Sequence, residues 1–108
     1  MNWISITNLA QLDVISERSY KTPVLIFKHS TRCHISTMVL NRLEREEAPQ
    51  GVDFYFLDLI ANRSLSNTIA EKFSVAHESP QVLLIKNGEC CYDESHNAIT
   101  MQEIKGQV

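Results

Sequence analysis

Cys33 is the residue best placed for covalent chemistry. It follows an apolar run, Val24-Leu25-Ile26-Phe27, and a short polar stretch read as a turn, Lys28-His29-Ser30-Thr31-Arg32. A helix-period pattern begins just after it. This spacing puts a thiol at a strand-to-helix corner, where the first N–H groups of the helix have no partner. Their partial positive charge favours thiolate over thiol, and thiolate is the form that attacks sulfur. Arg32 and His34 flank the cysteine and push the same way. The residue three positions on is Ser36, so the motif is Cys-x-x-Ser and not Cys-x-x-Cys. A single thiol implies exchange through mixed disulfides, with Ser36 donating a hydrogen bond to the thiolate.

Several elements must position that thiol. Thr7 to Ser19 reads as a helix, with Leu9, Leu12 and Ile15 on one face and Thr7 or Asn8 as cap. Val24 to Phe27 is apolar on both faces, as a strand covered from both sides would be. Ile35, Met38, Val39 and Leu43 mark a second helix, which ends before Pro49 and Gly51. Val52 to Leu57 reads as a strand. Leu65, Ile69 and Phe73 mark a third helix, and Val82 to Ile85 a third strand. Asn87-Gly88 is a two-residue hairpin turn leading into Glu89 to Tyr92. Thr100 and Glu103 have capping-box spacing for a last helix, with Met101 and Ile104 facing inward.

The order is α-β-α-β-α-β-β-α. A helix joins the first two strands, so they run parallel by the usual right-handed crossover, and the last two form a hairpin. The expected fold is α/β: a thioredoxin-like three-layer sandwich with a four-stranded mixed β-sheet flanked by helices. That fold keeps its chemistry at the first strand-to-helix corner. It also places a cis-proline before the third strand, which here points to Pro80 in His77-Glu78-Ser79-Pro80-Gln81. The backbone of Ser79 would then pair with a bound thiol ligand as an added strand does. Taken alone, without the fold, Pro80 is better read as a trans proline opening an edge strand, since cis is only about 5–6% of X-Pro bonds. Ser95-His96-Asn97 precedes the last helix and should lie on the same edge as Cys33. Helix N–H groups there would favour a carboxylate, and His96 would hold an acidic ligand or move protons. The plainer reading of His96 is a surface histidine.

With these segments together, the chain resembles the monothiol bacilliredoxin family, whose members are often described as general stress proteins. The resemblance rests on residues 27–36 (Phe-Lys-His-Ser-Thr-Arg-Cys-His-Ile-Ser), 77–81, Ile85-Lys86-Asn87-Gly88 and 95–100 (Ser-His-Asn-Ala-Ile-Thr). It covers nearly the whole chain. It implies a protein that removes bacillithiol, a cysteinyl-glucosaminyl-malate thiol, from protein mixed disulfides. Cys33 would attack, Pro80 would be the cis-proline, and Arg32, His34, Ser79, Ser95 and His96 would line the ligand site. Bacillithiol would be a co-substrate, with no bound cofactor or metal, and the partners would be S-bacillithiolated proteins. His34 departs from the family, where proline is common. A dithiol thioredoxin would have Cys at 36, usually Trp at 32 and an acid at 27; this chain has Ser36, Arg32 and Phe27. A cluster-carrying glutaredoxin would read Cys-Gly-Phe-Ser where this chain has Cys-His-Ile-Ser. The alternative role is a non-catalytic, stress-linked adaptor or thiol redox sensor, in which Cys33 is modified without turnover.

The remaining features bound this reading. The 108 residues fit one domain, 1–108, and 44% hydrophobic with 21% charged residues is ordinary for a globular protein. A net charge of −3 without a basic stripe argues against nucleic acid. No apolar run approaches the roughly 20 residues of a membrane span. The opening Met1-Asn2-Trp3-Ile4-Ser5 lacks a signal-peptide layout, so a reducing, cytoplasmic setting is expected. Trp3 reads as a hydrophobic anchor. Cys90 and Cys91 read as small buried hydrophobes on opposite sheet faces; the sharper alternative makes one a resolving thiol for Cys33. His29, Cys33, His34 and His96 have no compact metal-ligand spacing. His29 and His77 read as surface or supporting residues, and residues 42–47 (Arg-Leu-Glu-Arg-Glu-Glu) as a solvated helix face.

Overall fold

A computed structural model describes all 108 residues. Its elements are β1 (Ile4–Ser5), α1 (Ala10–Arg18), β2 (Val24–His29), α2 (His34–Arg45), β3 (Asp53–Asp58), α3 (Arg63–Phe73), β4 (Gln81–Lys86), β5 (Glu89–Ser95) and α4 (Met101–Gln107), with a 3₁₀ turn at His96–Ala98. The sheet has five strands, not four, in the order β1-β3-β2-β4-β5. The additional strand is a two-residue parallel edge, Ile4 beside Tyr55 and Ser5 beside Phe56. It is too short to show a period of its own. Trp3 holds it in place by stacking on Phe27 at 5.6 Å and meeting Phe54 and Phe56 edge-on.

The strand pleat divides the core into two layers. Val24, Ile26, Leu57, Leu83 and Ile85 face α1 and α3, where they meet Leu12, Ile15, Leu65, Ile69 and Phe73. Leu25, Phe27, Val82 and Leu84 face α2 and α4, where they meet Val39, Leu43, Met101 and Ile104. β2 pairs parallel with β3 and antiparallel with β4. Asn87 and Gly88 both have positive φ (52° and 77°), as the β4–β5 hairpin turn requires.

The element ends differ from the sequence pattern in ways that matter. β2 does not stop at Phe27 but runs through Lys28 and His29, both buried. β5 extends to Ser95. α1 starts at Ala10, behind a reciprocal cap: Gln11 N–H donates to Asn8 Oδ1 (3.1 Å) and Asn8 N–H to Gln11 Oε1 (3.1 Å). At α4, Thr100 Oγ1 accepts the N–H of Glu103 at 3.1 Å, the capping-box bond. Ile35 and Met38 of α2 face outward, with Met38 50% exposed, while Ser36 takes an inward position. Arg42 is no solvated charge, since it donates to the carbonyls of Asn97 and Ile99 and ties α2 to the 3₁₀ turn.

Candidate active site

The register brings the three sequence segments to one end of the sheet. His29 closes β2 and lies opposite Asp58. Lys28 pairs with Gln81, and Gln81 with Ser95, so the loop ending at Pro80 and the end of β5 lie beside the β2–α2 corner. The N–H of His96 donates to the carbonyl of Pro80 at 3.0 Å. The Ser79–Pro80 peptide is cis.

Cys33 is the N-cap residue of α2, with extended φ and ψ of −105° and 118°. Its carbonyl accepts the N–H of Thr37 at 3.1 Å, and its own N–H donates to Ser30 O at 3.2 Å. No side-chain hydrogen bond caps this helix. The thiol is half-buried and unpaired, and Arg32 and His34 on either side are exposed. The positive end of a twelve-residue helix is therefore open at a partly accessible sulfur.

Ser36 is fully buried, and its partners are not those expected from the motif. Its Oγ lies 2.7 Å from His29 Nδ1 and accepts the N–H of Ser30 at 3.0 Å. No bond from Ser36 to Cys33 is formed in this state. His29 is buried between Phe27 and Phe56 and is not a surface residue. Burial pushes its imidazole below the ordinary histidine range, against the upward pull of Asp58 and Glu44.

Lys28 points to the other side of β2. It is 0% exposed, and its Nζ donates to Ser66 O (3.2 Å) and lies 3.3 Å from His77 Nδ1. Burial alone lowers this lysine to about 8. His77 also meets Ser66 Oγ at 3.2 Å. Buried Gln81 donates to Ala76 O (3.0 Å) and accepts from Glu78 N–H (3.4 Å). The loop before Pro80 is thus pinned from β2, α3 and β4. Within it, Ser79 Oγ is buried without a hydrogen-bond partner.

The Ser95–Asn97 segment corrects the sequence reading. It is a strand end followed by the 3₁₀ turn, and the N-terminus of the last helix belongs to Thr100. No helix N–H groups are presented at His96. Its φ is +59°, and its Nε2 already lies 3.7 Å from Glu78 Oε2. Ser95 is half-buried and its N–H donates to Glu94 Oε1 at 3.1 Å.

Cys90 and Cys91 also differ from expectation. Leu84 pairs with Tyr92 and Ile85 with Cys90, so Cys91 is an extra, bulged residue in β5. It is exposed, whereas Cys90 is half-buried against the α1/α3 core. Burial pushes the Cys90 thiol up to about 11. All three cysteines are free, and no three His, Cys, Asp or Glu side chains gather as metal ligands. No helix is long and apolar enough to cross a membrane.

The motif pointed to Cys33 and Ser36 but not to Lys28, His29, His77 or Glu78. Polar residues next to a strand read as a turn, and only the strand register shows that two of them continue it. Their one sequence signal is the length of the run, since six residues is an ordinary strand.

Known proteins place this geometry. Residues 4–104 match the family model for the monothiol bacilliredoxin BrxC. A candidate oxidoreductase with a thioredoxin fold superposes with a TM-score of 0.84 at 29% identity, covering 96% of this chain and 91% of that one. Thioredoxin Mala s 13 of Malassezia sympodialis gives 0.73 at 18% identity, over 97% and 86% of the two chains. Spinach chloroplast thioredoxin f gives 0.69 at 13%, over 95% and 88%. The fold is that of thioredoxin, and the role is in thiol redox chemistry. On the match over residues 4–104, the chain belongs to the monothiol bacilliredoxin family.

Proposed function

We propose that this protein is a thiol-disulfide oxidoreductase that removes bacillithiol from protein mixed disulfides through Cys33. The observation that carries the reading is a single accessible thiol at the open N-terminus of α2, in a chain of this family. The Cys33 thiolate attacks the bacillithiol sulfur of the mixed disulfide. That S–S bond breaks, and the client protein leaves as thiolate and takes up a proton. The product is a disulfide between Cys33 and bacillithiol. A second bacillithiol thiolate attacks its bacillithiol sulfur, returning Cys33 as thiolate and releasing bacillithiol disulfide. Cys90 and Cys91 take no part, and no bound metal or organic cofactor is required.

The other groups hold the ligand. The backbone of Ser79 beside Pro80 clamps it. Arg32 adds positive charge beside the sulfur, and His34 adds a polar ring on its other side. Ser95 and His96 line the far rim, where His96 meets the malate carboxylates. Outward-facing Ile35 and Met38 give the client protein an apolar surface next to the thiol.

The test is reduction of a bacillithiolated model protein by wild type, Cys33→Ala and Cys33→Ser with free bacillithiol. Turnover in wild type and none in either variant is expected. A wild type that forms the mixed disulfide once and never turns over would make the protein an adaptor or a redox sensor.

A further inference from the structure

We infer that His29 is the base for Cys33, reached through the hydroxyl of Ser36. The inference deepens the reading of Cys33 as the attacking thiol and rests on it. His29 is 5% exposed at the end of β2, with Nδ1 2.7 Å from Ser36 Oγ. That oxygen accepts the N–H of Ser30 (3.0 Å), and Ser30 O accepts the N–H of Cys33 (3.2 Å). Residues 29, 30, 33 and 36 are therefore joined in one small hydrogen-bonded corner. Cys33 is the N-cap of α2 and Ser36 its third residue. Side chains at these two positions reach each other across a first turn, so a rotation of the Cys33 side chain closes the one contact that the resting structure leaves open.

Counting protons shows what the corner can do. A serine hydroxyl has one proton and two acceptor sites. The Ser30 N–H occupies one acceptor site. When the imidazole is neutral with its proton on Nε2, Ser36 donates to Nδ1, and its second acceptor site is left for the Cys33 S–H. The thiol proton moves to Ser36 Oγ as the hydroxyl proton moves to Nδ1. One S–H and one O–H bond break, one O–H and one N–H bond form, and the net charge is unchanged. The products are thiolate and imidazolium. Ser36 now donates to the thiolate, and His29 donates to Ser36. When Cys33 enters a mixed disulfide the thiolate charge disappears, and the imidazolium proton is released for the departing thiol.

The surroundings of His29 suit this exchange. Phe27 and Phe56 pack on the ring at 5.9 and 5.4 Å and exclude water. Burial keeps the resting imidazole neutral, and its cost to the imidazolium is offset by the thiolate formed in the same step. Asp58 from β3 and Glu44 from α2 favour the imidazolium once it forms. A serine three residues after the thiol is then a working part of the Cys-x-x-Ser motif.

The test is the pH profile of Cys33 alkylation by iodoacetamide, followed on the Cys33 peptide by mass spectrometry. The probe needs no bacillithiol. Ser36→Ala and His29→Phe should each slow alkylation about tenfold near neutral pH, moving the profile up by about one unit. The double variant should be no slower than either single one. His29→Asn keeps a hydrogen-bonding group at the Nδ1 position but is not basic, so it should match His29→Phe. Additive effects would overturn the relay, as would a His29→Asn profile equal to wild type. If His29→Phe does not fold, the wild-type imidazole still reports by NMR. Blocking Cys33 with iodoacetamide must lower the His29 midpoint, and an unmoved midpoint overturns the inference. Coupled profiles in a protein that fails to turn over bacillithiol would retain the relay and reject only the substrate.

Discussion

Lys28 and His29 are consecutive residues of one strand, yet their side chains lie in different layers of the protein. Lys28 reaches Ser66 on α3, and His29 reaches Ser36 on α2. The pleat sends successive side chains to opposite faces, so one dipeptide supplies both layers with a buried titratable group. The lysine pins the loop that ends in Pro80, and the histidine closes the corner that carries Cys33. Together they brace the two backbone segments that a mixed disulfide would lie between.

Lys28 makes the protein's stability depend on alkaline pH. Its folded value of about 8 lies below the ordinary 10.5, because the ammonium is buried without a carboxylate. Below about 8 both folded and unfolded chains carry the charge, and the folded state bears the whole cost of burying it. Between about 8 and 10.5 the unfolded chain binds more protons, so stability rises with pH. Lys28→Met removes this rise. The variant should be more stable than wild type at neutral pH by up to about 3 kcal/mol, the gap closing as pH passes 10.5. Urea denaturation at several pH values measures it; a constant gap would mean that Lys28 is not a buried cation.

The two β5 cysteines should react very differently. Cys91 bulges into solvent, while Cys90 is half-buried and pushed up to about 11. At pH near 8 only about one Cys90 in a thousand is thiolate. Iodoacetamide should label Cys91 at least about tenfold faster than Cys90, by peptide mass spectrometry. The Cys90→Ser, Cys91→Ser double variant should keep turnover of the bacillithiolated substrate within about twofold of wild type. A dead double variant would reveal a resolving thiol and end the monothiol mechanism.

The Thr100 cap carries stability without chemistry. Its hydroxyl accepts the Glu103 N–H at the start of α4, a helix of only seven residues. Thr100→Ala should cost about 1 kcal/mol. In a chain of this size that lowers the Tm by about 5 °C. Alkylation of Cys33 should be unchanged, since Ser36 and His29 keep their partners. A large loss of Cys33 reactivity would place Thr100 in the site.

Much of this was legible in the sequence because it depends on local patterns. Apolar spacing gave the helices, Asn87-Gly88 the hairpin, and Thr100-Glu103 the last cap. The β2–α2 corner with Cys33 followed from one apolar run meeting one helical pattern. What was not legible depends on register between distant segments. Ser36 could be read only against Cys33, its sequence neighbour, whereas its bonds in the fold run back to His29 and Ser30. Lys28 looked like a turn residue because its partners come from α3 and the Pro80 loop, 38 and 49 positions away. Cys91 is exposed because a bulge interrupts the alternation that strand reasoning assumes. β1 is too short to show any alternation.

Ligand charge recognition should centre on Glu78 and His96. Their side chains are half-exposed and 3.7 Å apart, a pair worth less than about 1 kcal/mol and readily opened by a competing anion. If the bacillithiol carboxylates take the place of Glu78 beside His96, the glutamate is a competitor at the rim. Glu78→Gln should then lower the KM for a bacillithiolated substrate by about two- to fivefold at low salt. His96→Asn should raise it by a similar factor; asparagine tolerates the positive φ of this position where alanine would not. Neither change should alter kcat or the reduction of neutral hydroxyethyl disulfide, because the sulfur chemistry stays with Cys33. Both effects should fade as ionic strength rises, since the charges are exposed to solvent. Equal responses with the charged and the neutral disulfide would show that His96 shapes the loop rather than meeting the ligand. The ligand's acidic end would then have to be met by Arg32 and His34, beside the thiol.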